Sequence, residues 1–385
     1  MAGSQSAEFE QLCRLLLGML RPQADANDLA SLTGSEWEVL ARLAMEQRLA
    51  PLLHAEWRGG EGGYLLPEKI QGIFAEAHRQ QALTALAQRS DLLLAVQLLA
   101  DAGIGCVALK GAMLAWHAYP AAGQRPLRDL DLLIAEDDAD RAWTVLHSAG
   151  FAAPLGKPGE GRGQTVKHLP PLVAPQGSEI ELHLRCWEEK DAVHRPMPSA
   201  QDLRIMRNSR KYAADDPISY PSPDDLLMHL AIHATAPYPL DAGPLMLADI
   251  DFLVRRHPPD WESFWERAAA QGWSRHAAYA IALTDRWRKP GLLMASHCPQ
   301  SVPEDLLDAA PALLFQPYAE RAATQFRAMM ERPSRAILEK ARTLVRKGGL
   351  RWLGGRILRT IGDAANPEIR NRASSISAVS NWLNA

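Results

Sequence analysis

The sequence predicts an α+β protein: a small mixed sheet between about residues 104 and 187, flanked on both sides by mainly helical regions. Three patterns predict it. Before residue 104 and again over 222–330, apolar residues recur at the spacing that puts them on one face of a helix. Between these stretches lie short apolar runs of strand length, one of them strictly alternating. Glycine and proline separate the runs from each other and from the helices. The expected division is an N-terminal helical region over 1–103, a mixed core over 104–190, a helical C-terminal domain over 191–330 and a basic amphipathic tail over 331–385. No internal repeat of fixed period is visible.

Taken in order, "SEWEVLARLAMEQRLAPLLHAEW" carries Trp37, Leu40, Leu43 and Ala44 at helical spacing, with Ser35 as N-cap and Glu38 closing a capping box. "GGEGG" at 59–63 is a loop, and a long helix runs from about Pro67 to Ala102, stopped by Gly103. "IGCVALKG" (104–111) reads as a buried strand, "AMLAWHAYP" as a short helix closed by Pro120, and "PLRDLDLLIA" as a second strand. "EDDADRAWTVLHSAGF" has acidic residues in its first turn and Gly150 at its end, the marks of a helix. "KHLPPLVAP" is a strand candidate weakened by two prolines, whereas "SEIELHLRCW" (178–187) alternates strictly and is a strand. The Gly/Pro-rich "PLGKPGEGRGQ" separates the halves of this region. Farther on, "SPDDLLMHLAIHA", "LMLADIDFLVRR", "DWESFWERAAAQG" and "HAAYAIALTDRW" read as helices. Between Arg332 and Arg359 stand nine Lys/Arg and one Glu among apolar residues at helical spacing. That basic stretch suits a helix packed on the body, a partner-binding surface or a membrane-surface helix. The closing "NRASSISAVSNWLNA" is polar and is expected to be loosely ordered.

Composition narrows the class. With 47% apolar and 23% charged residues the chain is an ordinary globular one, and 385 residues can bury a real core. A net charge of -3 confers no general preference for a polyanion. The N-terminus lacks a basic n-region, and no run of 18 apolar residues suggests a membrane span, so a cytoplasmic location is expected. Cys13, Cys106, Cys186 and Cys298 form no CxxC pair, which argues for free thiols rather than a zinc site or disulfides.

The chemistry lies in two of the strands. Alternation puts Asp129, Asp131 and Leu133 on one face of "RPLRDLDLLI" and Leu130, Leu132 and Ile134 on the other. Two neighbouring carboxylates repel, and burying them uncompensated costs several kcal/mol. A divalent cation removes that repulsion, and Mg²⁺ takes carboxylate oxygens together with phosphates and water. "SEIELHLRCW" puts Glu179, Glu181, His183 and Arg185 on one face. A neighbouring strand would bring Glu181 beside the aspartates, giving three carboxylates, enough for two metal ions in phosphoryl displacement. In "LKGAML", Gly111 sits at a strand-to-helix turn where backbone can approach a phosphate, beside the point charge of Lys110. Arg125 and Arg128 precede the acidic pair. His183 reads as a packing or supporting histidine. Asp249 and Asp251, two apart on a helix, do not share a face. His229 and His233 lack a third ligand and read as core or interface residues.

Together these motifs resemble the nucleotidyltransferases of the DNA polymerase beta superfamily, and more closely the bacterial family of uncharacterised nucleotidyltransferases. The residues that carry the resemblance are Leu109-Lys110-Gly111, Tyr119-Pro120, Arg125 to Leu133, and Glu181-Leu182-His183. It covers about 104–187 by motif and extends more loosely through "DLLMHLAIHA" and "LADIDFLV". The resemblance implies that Asp129, Asp131 and Glu181 bind two Mg²⁺ ions, with Glu181 nearer the attacking hydroxyl. It implies that Lys110, Gly111, Arg125 and Arg128 bind the nucleotide. A nucleoside monophosphate would pass from an NTP such as ATP to a small-molecule, peptide or protein acceptor, with pyrophosphate released. The superfamily's turn is Gly-Ser where this chain has Lys110-Gly111. That departure leaves room for a nucleotide-binding sensor without catalysis. A tRNA or other nucleic-acid nucleotidyltransferase is the third alternative, and the even charge outside the tail argues against it.

Overall fold

The computed structural model describes residues 2–21, 29–58, 66–156, 167–187, 189–190, 196–197, 200–236, 238–330 and 366–385. The loop at 59–63, most of the Gly/Pro-rich segment and the basic stretch 332–359 lie outside the described residues. The fold is α+β, with a small mixed sheet and helical flanks. The chain forms two compact units, one made of Met1–Leu43, Ala231–Ala248 and Trp265–Ala385, the other of Ala44–Leu230 and Asp249–Phe264.

The second unit carries the sheet. Its strands are β1 (Cys106–Ala108), β2 (Asp129–Ile134), β3 (Leu172–Val173) and β4 (Glu179–His183), in the order β1-β2-β4-β3. β1 and β2 are antiparallel, β2 and β4 parallel, and β3 and β4 antiparallel. A parallel pair needs a crossover, supplied here by the turn Glu136–Asp138 and the helix Ala139–Ser148. One face of the two central strands is wholly apolar: Leu130 pairs with Ile180 and Leu132 with Leu182, all at most 1% exposed. The strand expected over "KHLPPLVAP" shrinks to Leu172–Val173, because Pro170 and Pro171 supply no backbone donors to a ladder.

The long helix Glu68–Asp101 matches its expected span and positions both carboxylate-bearing strands. Gln88 donates to the Leu127 carbonyl at 3.2 Å, just ahead of β2. Buried Asp91 accepts from the amides of Gln176 (3.0 Å) and Ser178 (3.1 Å), fixing the turn into β4. The helix ends as its glycine requires. Gly103 takes φ 70°, and the Ile104 amide reaches back to the Leu99 carbonyl at 2.8 Å.

The helical unit corrects two expectations. The helix Gly34–Glu46 is capped by Thr33, not Ser35: Thr33 Oγ1 accepts from the Glu36 amide (3.3 Å) and Glu36 Oε2 from the Thr33 amide (2.7 Å). Both pairs satisfy the capping-box spacing, and the earlier one closes the first turn. The C-terminal residues are not loose. Pro367–Leu383 is a helix opened by an Asn366 cap with Pro367 in its first turn, and it packs on the helix Tyr318–Met330. Ile369, Ala373, Ile376, Val379 and Leu383 are buried at helical spacing, a stripe that the intervening serines dilute in the sequence.

Here a buried histidine sets a pH response. The Thr235 hydroxyl donates to the Ala231 carbonyl (2.6 Å) and so accepts from Nδ1–H of His276 (2.8 Å). Burial pushes His276 down from 6.5 to about 4. The unfolded chain therefore binds a proton that the folded chain refuses between those values. Stability is expected to fall by roughly 2–3 kcal/mol as pH drops from about 6.5 to 4, with no further loss from this group below 4. Urea midpoints measured over that range check it: His276→Gln is expected to flatten the dependence.

Candidate active site

β1 ends where the site begins. The Leu109 amide donates to the Asp131 carbonyl at 2.9 Å, which sets Lys110 beside β2. Lys110 then takes φ 42°, left-handed backbone that costs a non-glycine residue about 1 kcal/mol or more. The turn brings Lys110 Nζ to 3.1 Å from Asp131 Oδ1. Gly111 follows in a crowded position: a Cβ there would lie 2.5 Å from Leu127 Cδ2 and 2.8 Å from Arg125 Nη1. Any larger residue would push aside the Leu127 side chain and the Arg125 guanidinium that Asp249 holds. A turn of α-helix, Gly111–Met113, and a π-turn, Leu114–Ala118, complete the expected short helix.

The β2–β4 register brings the carboxylates together. Asp129 pairs with Glu179, Asp131 with Glu181 and Leu133 with His183, so the acidic faces of both strands point the same way. Ligand atoms of Asp131, Glu181 and His183 lie within 4.8 Å of one another, the one such group among the described residues. His183, 1% exposed, sits at 2.6 Å from Asp131 Oδ1 and 3.1 Å from Glu181 Oε2 through Nε2. Its Nδ1 faces the Arg185 carbonyl at 3.1 Å. The two carboxylates outweigh burial and raise the His183 pKa above its ordinary 6.5. As imidazolium the ring donates from both nitrogens, and with Lys110 it neutralises a strand face that would otherwise repel itself.

Each acid responds to this setting. Asp131, 4% exposed, is held well below the usual carboxylate range because Lys110 and His183 together overcome its burial. Glu181 is lowered, first by its hydrogen bond to His183. Asp129 moves the other way: burial and then the charge of Asp131 push it up, against the pull of Lys110. Opposed shifts among adjacent acids are a mark of functional sites.

Lys110, Asp131 and Glu181 thus meet around His183, with Gly111 at the turn beside Lys110, while Asp129 shares their strand face opposite Glu179 and lies outside that ligand group. Arg128 is exposed just before β2. Arg125 is engaged elsewhere: its Nε and Nη2 grip Asp249 Oδ1 (3.0 Å) and Oδ2 (2.7 Å), and Tyr119 donates to Asp249 Oδ1 at 2.8 Å. Asp251, two residues on, pairs instead with Arg255 at 2.6 Å, as expected of helix neighbours that do not share a face. His229 is buried and packs on Trp187, and His233 is exposed.

Two cations at the site carry no sequence signal. Lys167 is fixed by its carbonyl, which accepts from the Leu184 (2.9 Å) and Arg185 (3.1 Å) amides at the end of β4. Burial and then Lys110 push its ammonium down. The other is Arg48, in the short link between the helices Gly34–Glu46 and Ala50–Trp57. All four cysteines are free, and no helix among the described residues is long and apolar enough to cross a membrane.

No curated protein matches the chain significantly. The family described as uncharacterised nucleotidyltransferase matches residues 33–289, more than half of the chain and well beyond the motif-bearing strands. This span takes in the long helix that aligns β2 and β4 as well as Asp249, which anchors Arg125 beside the turn. The chain belongs to this family of nucleotidyltransferases and is a transferase enzyme.

Proposed function

We propose that the chain transfers a nucleoside monophosphate from an NTP to a small-molecule, peptide or protein acceptor, with Asp129, Asp131 and Glu181 holding two Mg²⁺ ions. The observation that carries this reading is the β2–β4 register, which turns three carboxylates to one face beside Lys110 and Gly111. The donor set fits the cation: Asp131 and Glu181 offer hard carboxylate oxygens within 4.8 Å of one another, and Asp129 shares their face. When bound, the ions would polarise the α-phosphate and favour the attacking oxygen and the leaving pyrophosphate.

The chain's own residues do the rest. Glu181, whose carboxylate accepts from His183, would take the proton of the acceptor hydroxyl. His183 orients Glu181 and Asp131 by donating to both. Lys110, Gly111 and Arg128 hold the phosphates, and Arg125, locked by Asp249, keeps the loop beside Gly111 in place. The core over 104–190 holds the three carboxylates, Lys110 and Gly111. Lysine in place of the superfamily's serine, ion-paired to Asp131, favours one second reading, a nucleotide sensor that binds without turnover.

The test offers the purified full chain each labelled NTP with Mg²⁺ or EDTA and a panel of small-molecule, peptide, protein and tRNA acceptors. Pyrophosphate release and a gain of one nucleotidyl mass on the acceptor are expected, both lost in EDTA. NTP binding without product points to the sensor, a mass gain on tRNA alone overturns the acceptor class, and no NTP binding overturns the whole reading.

A further inference from the structure

Among the described residues, four non-glycine residues have left-handed backbone: Arg48, Lys110, Leu240 and His297. Two of the four are cations at the same site. Arg48 occupies the position after the helix Gly34–Glu46 where a glycine normally closes the turn. Its φ is 60°, and the Leu49 amide reaches back to the Ala44 carbonyl at 2.7 Å. Arginine is poorly suited to that backbone, and strain retained in this way is concentrated where a side chain has a task.

The side chain is half-buried among like charges. Arg48 Nη1 reaches the Pro126 carbonyl at 3.5 Å, the same oxygen that accepts from Arg125 Nη1 at 3.0 Å. Arg48 Nε is buried with no hydrogen-bond partner. The charges around it are Arg128, Arg125, Asp249 and Asp129. Both Asp249 oxygens are taken by Arg125, and Asp129 belongs to the carboxylate face. Neither Arg48 nor Arg128 has a carboxylate partner among the described residues. Burial and the neighbouring arginines accordingly push Arg48 down to about 10. Guanidinium groups gathered this way, next to the crowded turn at Gly111, are completed by an anion with several oxygens.

We propose that Arg48 and Arg128 form an anion subsite beside Gly111 that takes the terminal phosphates of the NTP and then the departing pyrophosphate. Arg48 is a substrate-positioning residue reached from outside the sheet. The inference rests on the proposed nucleotidyl transfer for its ligand, and its test needs neither acceptor nor turnover.

The test is calorimetry of inorganic tripolyphosphate with Mg²⁺ against the full-length wild type, Arg48→Lys, Arg48→Gln and Arg48→Gly, with AMP as control. Lysine and glutamine keep the backbone strain and most of the stem, so the pair isolates the charge. Glycine relieves the strain, and its melting temperature is expected to stay level or rise. Arg48→Gln and Arg48→Gly are expected to weaken tripolyphosphate binding about tenfold, Arg48→Lys by about threefold or less, and none to change AMP binding. Undiminished tripolyphosphate affinity in Arg48→Gln, an equal loss for AMP, or no binding by the wild type overturns the subsite. A wild type that binds tripolyphosphate as expected yet transfers nothing fails the proposed function and leaves the subsite standing. Normal transfer with unaltered Arg48→Gln binding fails the subsite alone.

Discussion

An Asp129→Asn variant is expected to fold at least as well as the wild type while losing nucleotidyl transfer by about 10³-fold. The two effects have one origin. Burial and the charge of Asp131 raise the Asp129 carboxyl above 3.8, so its ionised form is the strained one in the folded chain. A carboxyl raised on folding subtracts from stability as pH climbs from the unfolded value through the folded one. Asparagine has no charge to strain, so its melting temperature at pH 7 is expected to equal or exceed that of the wild type. The difference closes below pH 3.8, where the wild-type carboxyl is protonated in both states. On the proposed reading, transfer falls because an oxygen that would hold a metal ion loses its charge. Melting curves between pH 3 and 7, read beside pyrophosphate release, check both halves, and a variant that melts lower at pH 7 or keeps its turnover refutes the account. Asp131 is the contrast, since its removal strands the largely buried Lys110 and His183 without their shared partner.

The second large effect is structural. Arg125→Ala is expected to cost about 3–5 kcal/mol, because it abandons a carboxylate only 5% exposed that two groups now satisfy. The urea midpoint should drop with the denaturant slope unchanged. Arg125→Lys should recover only part of the loss, since an ammonium cannot span both Asp249 oxygens as the guanidinium fork does. Were Arg125 chiefly a phosphate ligand, the alanine variant would keep its midpoint and raise only the KM for NTP.

These two cases mark where the sequence is legible. Asp129, Asp131 and Glu181 could be assigned to shared faces because a strand alternates with period two and each strand's other face reads Leu or Ile without a break. The long helix was legible from apolar spacing and the glycine that stops it. Arg125 was not legible as an ion-pair member, because Asp249 lies 124 residues away and nothing local distinguishes it from Asp251. His183 reads as a packing or supporting histidine, but which carboxylates it supports depends on the register between β2 and β4. Arg48 lies inside a stretch that reads as continuously helical, and its significance comes from the break after Glu46, a backbone angle and neighbours at 125 to 129. The misplaced cap has a smaller cause: Thr33-x-x-Glu36 and Ser35-x-x-Glu38 overlap, and spacing alone does not choose between them.

The parallel pairing of β2 with β4 also has a bearing on synthesis. Translation delivers Asp129 and Asp131 some fifty residues before Glu181 and His183. In that interval the emerging polypeptide exposes an unpaired sheet edge on β2 and two aspartates whose compensating imidazolium does not yet exist. A ribosome-stalled fragment ending before Glu179 lacks both Glu181 and His183, and the hazard it presents is aggregation through that open edge.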